Sequence, residues 1–235
     1  MQLTDAIRDA FALLFSGDAA LWHIVWISLK TSLIALVLAT PFAIGAGYLI
    51  ATHSFSGRRF LIWLAQAMLS LPTVLIGLLL YLTLSRQGPF GSFHWLFSQP
   101  GIIVGQVLIA LPVLVAFSLA AIQAADTRLA ETAITLGASR WRVMFTVLHE
   151  VRFGVMAAII HGFGRVISEV GCAIMVGGNI VGETRTITTA IALETSKGDF
   201  AQGVALGIVL VSVALTVNAL LVILQGDTRA VQGVS

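Results

Sequence analysis

The sequence predicts an all-α, polytopic membrane protein, and three observations carry that prediction. Of 235 residues, 58% are Ala, Val, Ile, Leu, Met, Phe, Trp, Tyr or Cys and only 10% are Asp, Glu, Lys or Arg, with a mean hydropathy of +0.98. A soluble domain carries about 25% charged residues, so this chain cannot clothe one apolar core in a solvated skin. The charges are also segregated. No charged residue stands between Lys30 and Arg58, Arg59 and Arg86, Arg86 and Asp126, or Asp199 and Asp227, and each gap exceeds the ~20 residues of a spanning helix. These stretches are uniformly apolar rather than alternating, which suits helices that satisfy their own backbone and not barrel strands. A secreted disulfide scaffold, a disordered linker and a nucleic-acid binder working through a basic face are thereby excluded. The net charge of +2 is ordinary for such a chain, and the single Cys172 cannot form an internal disulfide.

From the N-terminus, Leu3, Ile7, Ala10, Phe11, Leu14 and Phe15 recur at helical spacing, with Thr4, Asp5, Arg8 and Asp9 on other faces. Lacking the positive start and continuous apolar run of a signal peptide, residues 1–20 read as a short helix lying in the membrane interface. Five spans follow, at about 31–51, 60–84, 101–125, 153–178 and 201–224, and residues 1–235 make a single transmembrane domain. Pro72 and Pro112, each near mid-span, remove a backbone donor and should kink or open spans two and three. Gly45 and Gly47 thin the first span. Gly101 with Gly105, and Gly203 with Gly207, let helices approach closely, and ordinary packing is favoured over a dimerisation motif.

Five spans put the termini on opposite sides. With 126–152 in the cytoplasm, Arg58, Arg59, Arg128, Arg140, Arg142, Arg152 and Arg229 lie inside. Arg8, Lys30, Arg86, Arg185 and Lys197 lie outside, and Arg165 lies within a span. Seven against five agrees with the positive-inside rule, and on that assignment the N-terminus is outside and the C-terminus cytoplasmic, in a multi-pass protein expected in a cell's inner membrane. Trp22, Trp26, Phe93, Trp95 and Phe97 at one boundary and Trp63 and Trp141 at the other fit interfacial belts.

Segment 126–152 changes character, interleaving Asp126, Arg128, Glu131, Arg140, Arg142, Glu150 and Arg152 with apolar residues. Asp126 or Thr127 can cap a helix running to Leu136, Gly137 suits its end, and Ser139 can cap the next. In that second helix Trp141, Met144, Phe145 and Leu148 share one apolar face. Such an amphipathic helix-turn-helix on the membrane surface asks for something to bury against.

Glu131, Ala133 and Gly137 in ETAITLG, followed by ASRWR, resemble the EAA loop of ABC importer permeases: Glu-Ala-Ala, three residues, Gly, nine residues, then Ile-x-Leu-Pro. Val147 fits the Ile position, Thr132 replaces the second motif residue, and His149 and Glu150 replace Leu-Pro. Residues 165–182, RVISEVGCAIMVGGNIVG, with the following ETRTITTAIALETSKGDF, are similar to the closing segment of permeases that import tetrahedral oxyanions, most like the tungstate branch. Ser168, Cys172 and Gly177 depart from the Gly-Glu-x-Gly-Ala and Ala-Gly-Asn-Ile of that segment. The resemblance covers about 70–224. It implies a type I ABC importer permease fold whose loop 126–152 is a cytoplasmic coupling loop. Glu131, Ala133, Gly137, Ala138, Arg140 and Trp141 would meet a separate ATPase. The implied partners are a second copy of the chain, two ATPase subunits, an extracytoplasmic oxyanion-binding protein and membrane lipid, with no nucleic acid. Tungstate is the favoured cargo, with molybdate or sulfate as alternatives.

Arg165 and Glu169 lie four apart inside span four. A mid-membrane charge costs at least ~2.5 kcal/mol, so the two should pair, either as part of a gate that changes partners or as a static pair orienting the helix. Gly177, Gly178 and Asn179 end the span with a flexible turn, and 187–195 is expected as a short re-entrant or surface helix. This is the first choice for the translocation gate, since irregular backbone at membrane depth lines cavities. Arg185 and Lys197 can attract an anion by field, although Glu183, Glu194 and Asp199 oppose them. His23, His53, His94, His149 and His161 are scattered, which argues against a metal site. No Gly-Lys-Ser or Gly-Lys-Thr occurs, so no P-loop is present and the chain is not itself the ATPase. No cofactor is expected in this chain. The competing reading, an ion-coupled secondary transporter of a small solute, would need intramembrane acids and broken helices, and only Glu169 is available in mid-span.

Overall fold

The computed structural model describes residues 3–225. Among them the chain forms α1 (Leu3–Phe15), α2 (Ala19–Thr52), α3 (Arg58–Met68), α4 (Thr73–Leu84), α5 (Gln99–Gln123), α6 (Thr127–Thr135), α7 (Arg140–Glu150), α8 (Arg152–Ile167), α9 (Gly171–Gly177), α10 (Ile187–Lys197) and α11 (Phe200–Gln225), and no strand. Ala19–Thr52, Gln99–Gln123 and Phe200–Leu220 are each long and apolar enough to cross a membrane, and the count reaches five when two bent helix pairs are taken as single spans. The protein is a multi-pass, all-α membrane protein.

The helix boundaries correct the hydropathy reading in three places. α2 starts at Ala19, well before Thr31, because Asp18 caps it: its Oδ1 accepts from the N–H groups of Ala20 (2.7 Å) and Leu21 (3.3 Å). Lys30 within it donates to Gln99 Oε1 at 3.1 Å. Thirty-four residues rise about 51 Å, more than the ~30 Å hydrocarbon layer. Span two is two helices, because Pro72 takes the extended N-cap position of α4 (ψ 120°). Span four is also interrupted, α8 ending at Ile167 and α9 beginning at Gly171. Pro112, by contrast, lies inside an uninterrupted α5, as does Pro41 inside α2, a proline to which hydropathy draws no attention.

The described residues form two compact units. One holds the residues up to Ala39, with Ser70–Ala110 and Phe163–Val213; the other holds Thr40–Leu69, Leu111–Gly162 and the residues from Ala214. In unit 1, Ala10 of α1 is fully buried with Leu21, Ile24, Ile187, Ala190, Ala205 and Leu206. The outer edge of α1 keeps Phe11 and Phe15 exposed. A second cluster joins Leu80, Leu84, Ile109, Cys172 and Val176. Glycines set its spacing: a Cβ on Gly77 would lie 2.8 Å from Cys172 Cα, and one on Gly105 would lie 2.6 Å from Cys172 Sγ. The Gly101/Gly105 pair therefore serves packing within the chain. Unit 2 buries Ala43, Ile50, Val113, Leu114, Leu119, Val143, Val147 and Ala158. Arg58 closes the end of α2 there, donating to Ile50 O (2.7 Å) and Ala51 O (3.1 Å). Exposed Val37, Phe42, Leu79 and Ile223 suit contact with lipid, where an outward apolar side chain is not penalised.

Candidate functional site

In unit 2, α6 and α7 form the helical hairpin expected between spans three and four. Asp126 caps α6, its side chain accepting from the Arg128 N–H at 2.9 Å. α6 closes in a Schellman turn, in which Gly137 N–H donates to Ile134 O (2.9 Å), Ala138 N–H donates to Ala133 O (3.0 Å), and Gly137 takes φ +77°. Three of the residues singled out in the sequence, Ala133, Gly137 and Ala138, thus act as one device. A Cβ on Gly137 would meet nothing within 4 Å, so the glycine is required by backbone conformation and not by space. Ser139 occupies the N-cap of α7 without a side-chain cap bond, which leaves the expected cap in position only.

α7 is anchored by Val143 and Val147, its two buried residues. The stripe of Trp141, Met144, Phe145 and Leu148 is not its inner face: Trp141 is 71% and Phe145 64% exposed. Ile134 and Leu136 are exposed beside Glu131 and Arg140, so the hairpin presents large apolar side chains among charges. At the far end of α7 the chain bends by 72° into α8. A cleft of about 790 Å³ opens there, with Phe145, His149, Glu150 and Arg152 in its wall. His161 stacks on Phe117 with centroids 4.9 Å apart, and its Nδ1 hydrogen-bonds Ala157 O at 2.8 Å. That carbonyl only accepts, so Nδ1 carries the proton.

In unit 1, Arg165 and Glu169 pair as expected, Nη1 to Oε2 at 3.3 Å. They do not share one helix. Arg165 is in the last turn of α8, and Glu169 lies in the break before α9. There its other oxygen accepts from the Cys172 N–H at 2.9 Å, and Thr188 Oγ1 donates to its backbone carbonyl at 2.6 Å. Glu169 is 4% exposed, and this buried acid ties α8, α9 and α10 together.

Gly177 ends α9, and Gly178 and Asn179 follow with φ +71° and +52°. The expected turn is present, and it is pinned. Thr189 Oγ1 donates to Asn179 Oδ1 (3.0 Å), Thr184 Oγ1 donates to Gly177 O (2.6 Å), and Phe97 N–H donates to Val176 O (2.7 Å). A Cβ on Gly178 would stand 2.8 Å from Phe97. α10 buries its first turn and Glu194, with Ile187, Thr188, Thr189 and Ala190 inside, while Thr195, Ser196 and Lys197 at its other end are exposed. Its start is fixed by a capping box between Thr186 and Thr189, and by Ile187 N–H donating to Ser28 Oγ at 2.7 Å. Thr184, Thr186, Thr188, Thr189 and Ser28 were not singled out in the sequence. The signal of the four threonines was the run TRTITT, five polar residues in six, set in a chain where polar groups are scarce; Ser28 had none.

Residues 39–229 match the family described as the inner membrane component of binding-protein-dependent transport systems. The chain belongs to this family. The match begins about thirty residues before the stretch whose motifs gave the resemblance away. Among curated relatives of this inner-membrane component, the tungstate uptake system permease protein TupB of Campylobacter jejuni is 36% identical over 91% of this chain and 90% of that one. A probable anion ABC transporter permease protein of Haloferax volcanii is 37% identical over 87% and 91%. The crystal structure of a bacterial ABC transporter involved in the import of the acidic polysaccharide alginate shares the fold, with a TM-score of 0.72 over 91% of this chain and 82% of that one, at 21% identity. Type I ABC permease architecture and the role of a permease subunit follow for this membrane component.

Proposed function

We propose that the chain is the permease subunit of an ATP-driven importer of tetrahedral oxyanions, tungstate first, with molybdate and sulfate as the nearest alternatives. The observation that carries this reading is similarity to permeases named for tungstate and for anions across about nine tenths of both chains. Two copies enclose the path, with the N-terminus outside and the C-terminus in the cytoplasm. Two ATPase subunits grip the 126–152 hairpins, and an extracytoplasmic binding protein delivers the oxyanion. A membrane protein with apolar side chains as exposed as Trp141 and Phe145 on a hairpin rich in charge has a surface suited to burial against a partner. Glu131, Ala133, Gly137, Ala138, Arg140 and Trp141 form that surface, and rigid-body motion carries ATPase closure through α7.

In this reading Arg165, Glu169, Gly177, Gly178 and Asn179 form the gate. Glu169 holds three helix ends at once, so exchange of its partners repositions all three. A charge in mid-membrane with a second polar partner within reach can switch without ever being left bare. The experiment is reconstitution in proteoliposomes with the ATPase and binding protein, measuring uptake of labelled tungstate. ATP-dependent uptake is expected, and uptake driven by an ion gradient without ATP would favour a secondary transporter instead.

A further inference from the structure

Outside the gate, unit 1 brings three charged side chains together: Arg185, Glu194 and Lys197. Glu194 is 5% exposed, and both of its oxygens accept from Lys197 Nζ, at 3.0 and 3.3 Å. One ammonium group thus neutralises the one carboxylate. Arg185 reaches Glu194 Oε1 through a single nitrogen at 3.6 Å, beyond hydrogen-bonding distance. Its side chain is only 13% exposed, its Nε is buried without a partner, and its backbone is held in place by donation to Ile180 O at 3.0 Å. A guanidinium offers five N–H donors in a planar fork. Burying Nε without a hydrogen bond is unfavourable, and with Lys197 already engaged the three side chains together carry one surplus positive charge, opposed by the exposed Glu183 and Asp199. A group with two or more anionic oxygens at tetrahedral spacing would satisfy the fork and the charge together.

We propose that Arg185 is an oxyanion-contacting residue on the translocation route, and that in this state the Glu194 carboxylate stands in for the cargo. When cargo arrives, Arg185 gives up its loose contact with Glu194 and donates two hydrogen bonds to two oxygens of the oxyanion, while Lys197 keeps Glu194 neutralised. The exchange sacrifices no hydrogen bond and leaves no carboxylate bare. It also favours oxyanions over chloride, since a monatomic ion cannot accept both arms of the fork with the same geometry. The inference rests on the oxyanion reading above.

The test uses the full transporter with its ATPase and binding protein in proteoliposomes, and tungstate as the probe. Arg185→Gln should lower uptake about ten- to a hundredfold, the loss of a charged hydrogen bond. Arg185→Lys, which keeps the charge without the fork, should fall between. A second readout is tungsten retained by purified transporter locked with an ATPase variant that binds but does not hydrolyse ATP; Arg185→Gln and Arg185→Lys should retain less than wild type. Uptake by Arg185→Gln within twofold of wild type, or equal tungsten retention by Arg185→Lys, overturns the proposal. If Arg185→Gln does not fold, the Lys variant and the retention measurement decide it. A wild-type transporter that imports no oxyanion defeats the oxyanion reading itself, whereas wild-type import that ignores Arg185 defeats only this inference.

Discussion

Unit 1 buries two acids and pairs them with cations, whereas the hairpin of unit 2 displays its charges. The three ion pairs among the described residues, Arg165–Glu169, Arg185–Glu194 and Lys197–Glu194, all lie in unit 1 and engage acids 4% and 5% exposed. In unit 2, Asp126, Arg128, Glu131, Arg140, Arg142, Glu150 and Arg152 are exposed, and so are Trp141 and Phe145. The contrast teaches where each kind of mutation registers. Removing one member of a buried pair strands the other and appears first as lost stability. Removing an exposed side chain leaves stability nearly untouched and appears only when a partner is present.

The largest expected effect is at Glu169. Glu169→Ala strands Arg165 and removes the acceptor of the Cys172 N–H, and should cost about 2–4 kcal/mol of stability. Arg165 is 38% exposed, which holds the figure below that of a fully buried pair. Denaturation of the purified protein in detergent measures it, and a wild-type midpoint would break the contrast between the units. The double variant Arg165→Gln/Glu169→Gln sharpens it further. Transport lost in a protein that still folds supports a gate, and unchanged transport reduces the pair to a static brace.

Trp141→Ala probes the other side of the contrast. Stability should change by less than about 0.5 kcal/mol, while affinity for the ATPase falls about thirtyfold, as for an aromatic anchor at the centre of an interface. Titration of the permease with purified ATPase measures this. Equal affinity would mean that the exposed stripe of α7 faces lipid rather than a partner.

Gly137→Val comes next. A β-branched residue at φ +77° is strained by about 1–2 kcal/mol, and the Schellman turn that sets the angle between α6 and α7 should give way. The expected signature is uncoupling, with ATP hydrolysed but not stimulated by loaded binding protein. Normal substrate-stimulated hydrolysis would sink the idea that this turn transmits force.

The fold class and the hairpin were legible because both are written in local pattern. Charge-free runs mark helices, and a Gly directly after the last apolar residue, Leu136, marks a helix stop, so the place of Gly137 is readable without its φ. The helix breaks were less legible. Pro72 and Pro112 look alike in sequence, yet one begins a helix and the other lies within one, since tolerance of a missing N–H depends on what neighbouring helices supply. The site in unit 1 was half legible. Arg165 and Glu169 stand out because charges are rare there, but Thr188, Thr189, Ser28 and Asn179 are joined only by tertiary contact across long sequence separations. Likewise the one apolar face legible in α7, Trp141 with Met144, Phe145 and Leu148, is not what holds the helix down, which Val143 and Val147 do.

The smallest effect separates two residues that sequence patterns treat as equals. Asp126 and Ser139 both stand at helix N-caps in the hairpin, yet only Asp126 accepts a backbone hydrogen bond, from Arg128 N–H at 2.9 Å. Asp126→Ala should therefore cost α6 about 1 kcal/mol, and Ser139→Ala should cost α7 only a few tenths. Amide exchange across 127–150 resolves the two: protection in α6 should drop about fivefold for the first, with α7 nearly unchanged for the second. Because the hairpin is exposed and its stability is local, neither change should reach the buried pairs of unit 1. If Asp126→Ala lowered protection around Glu169 as well, the hairpin and the gate would share one cooperative unit, and the division between displayed and hidden charge would cease to be a division of labour.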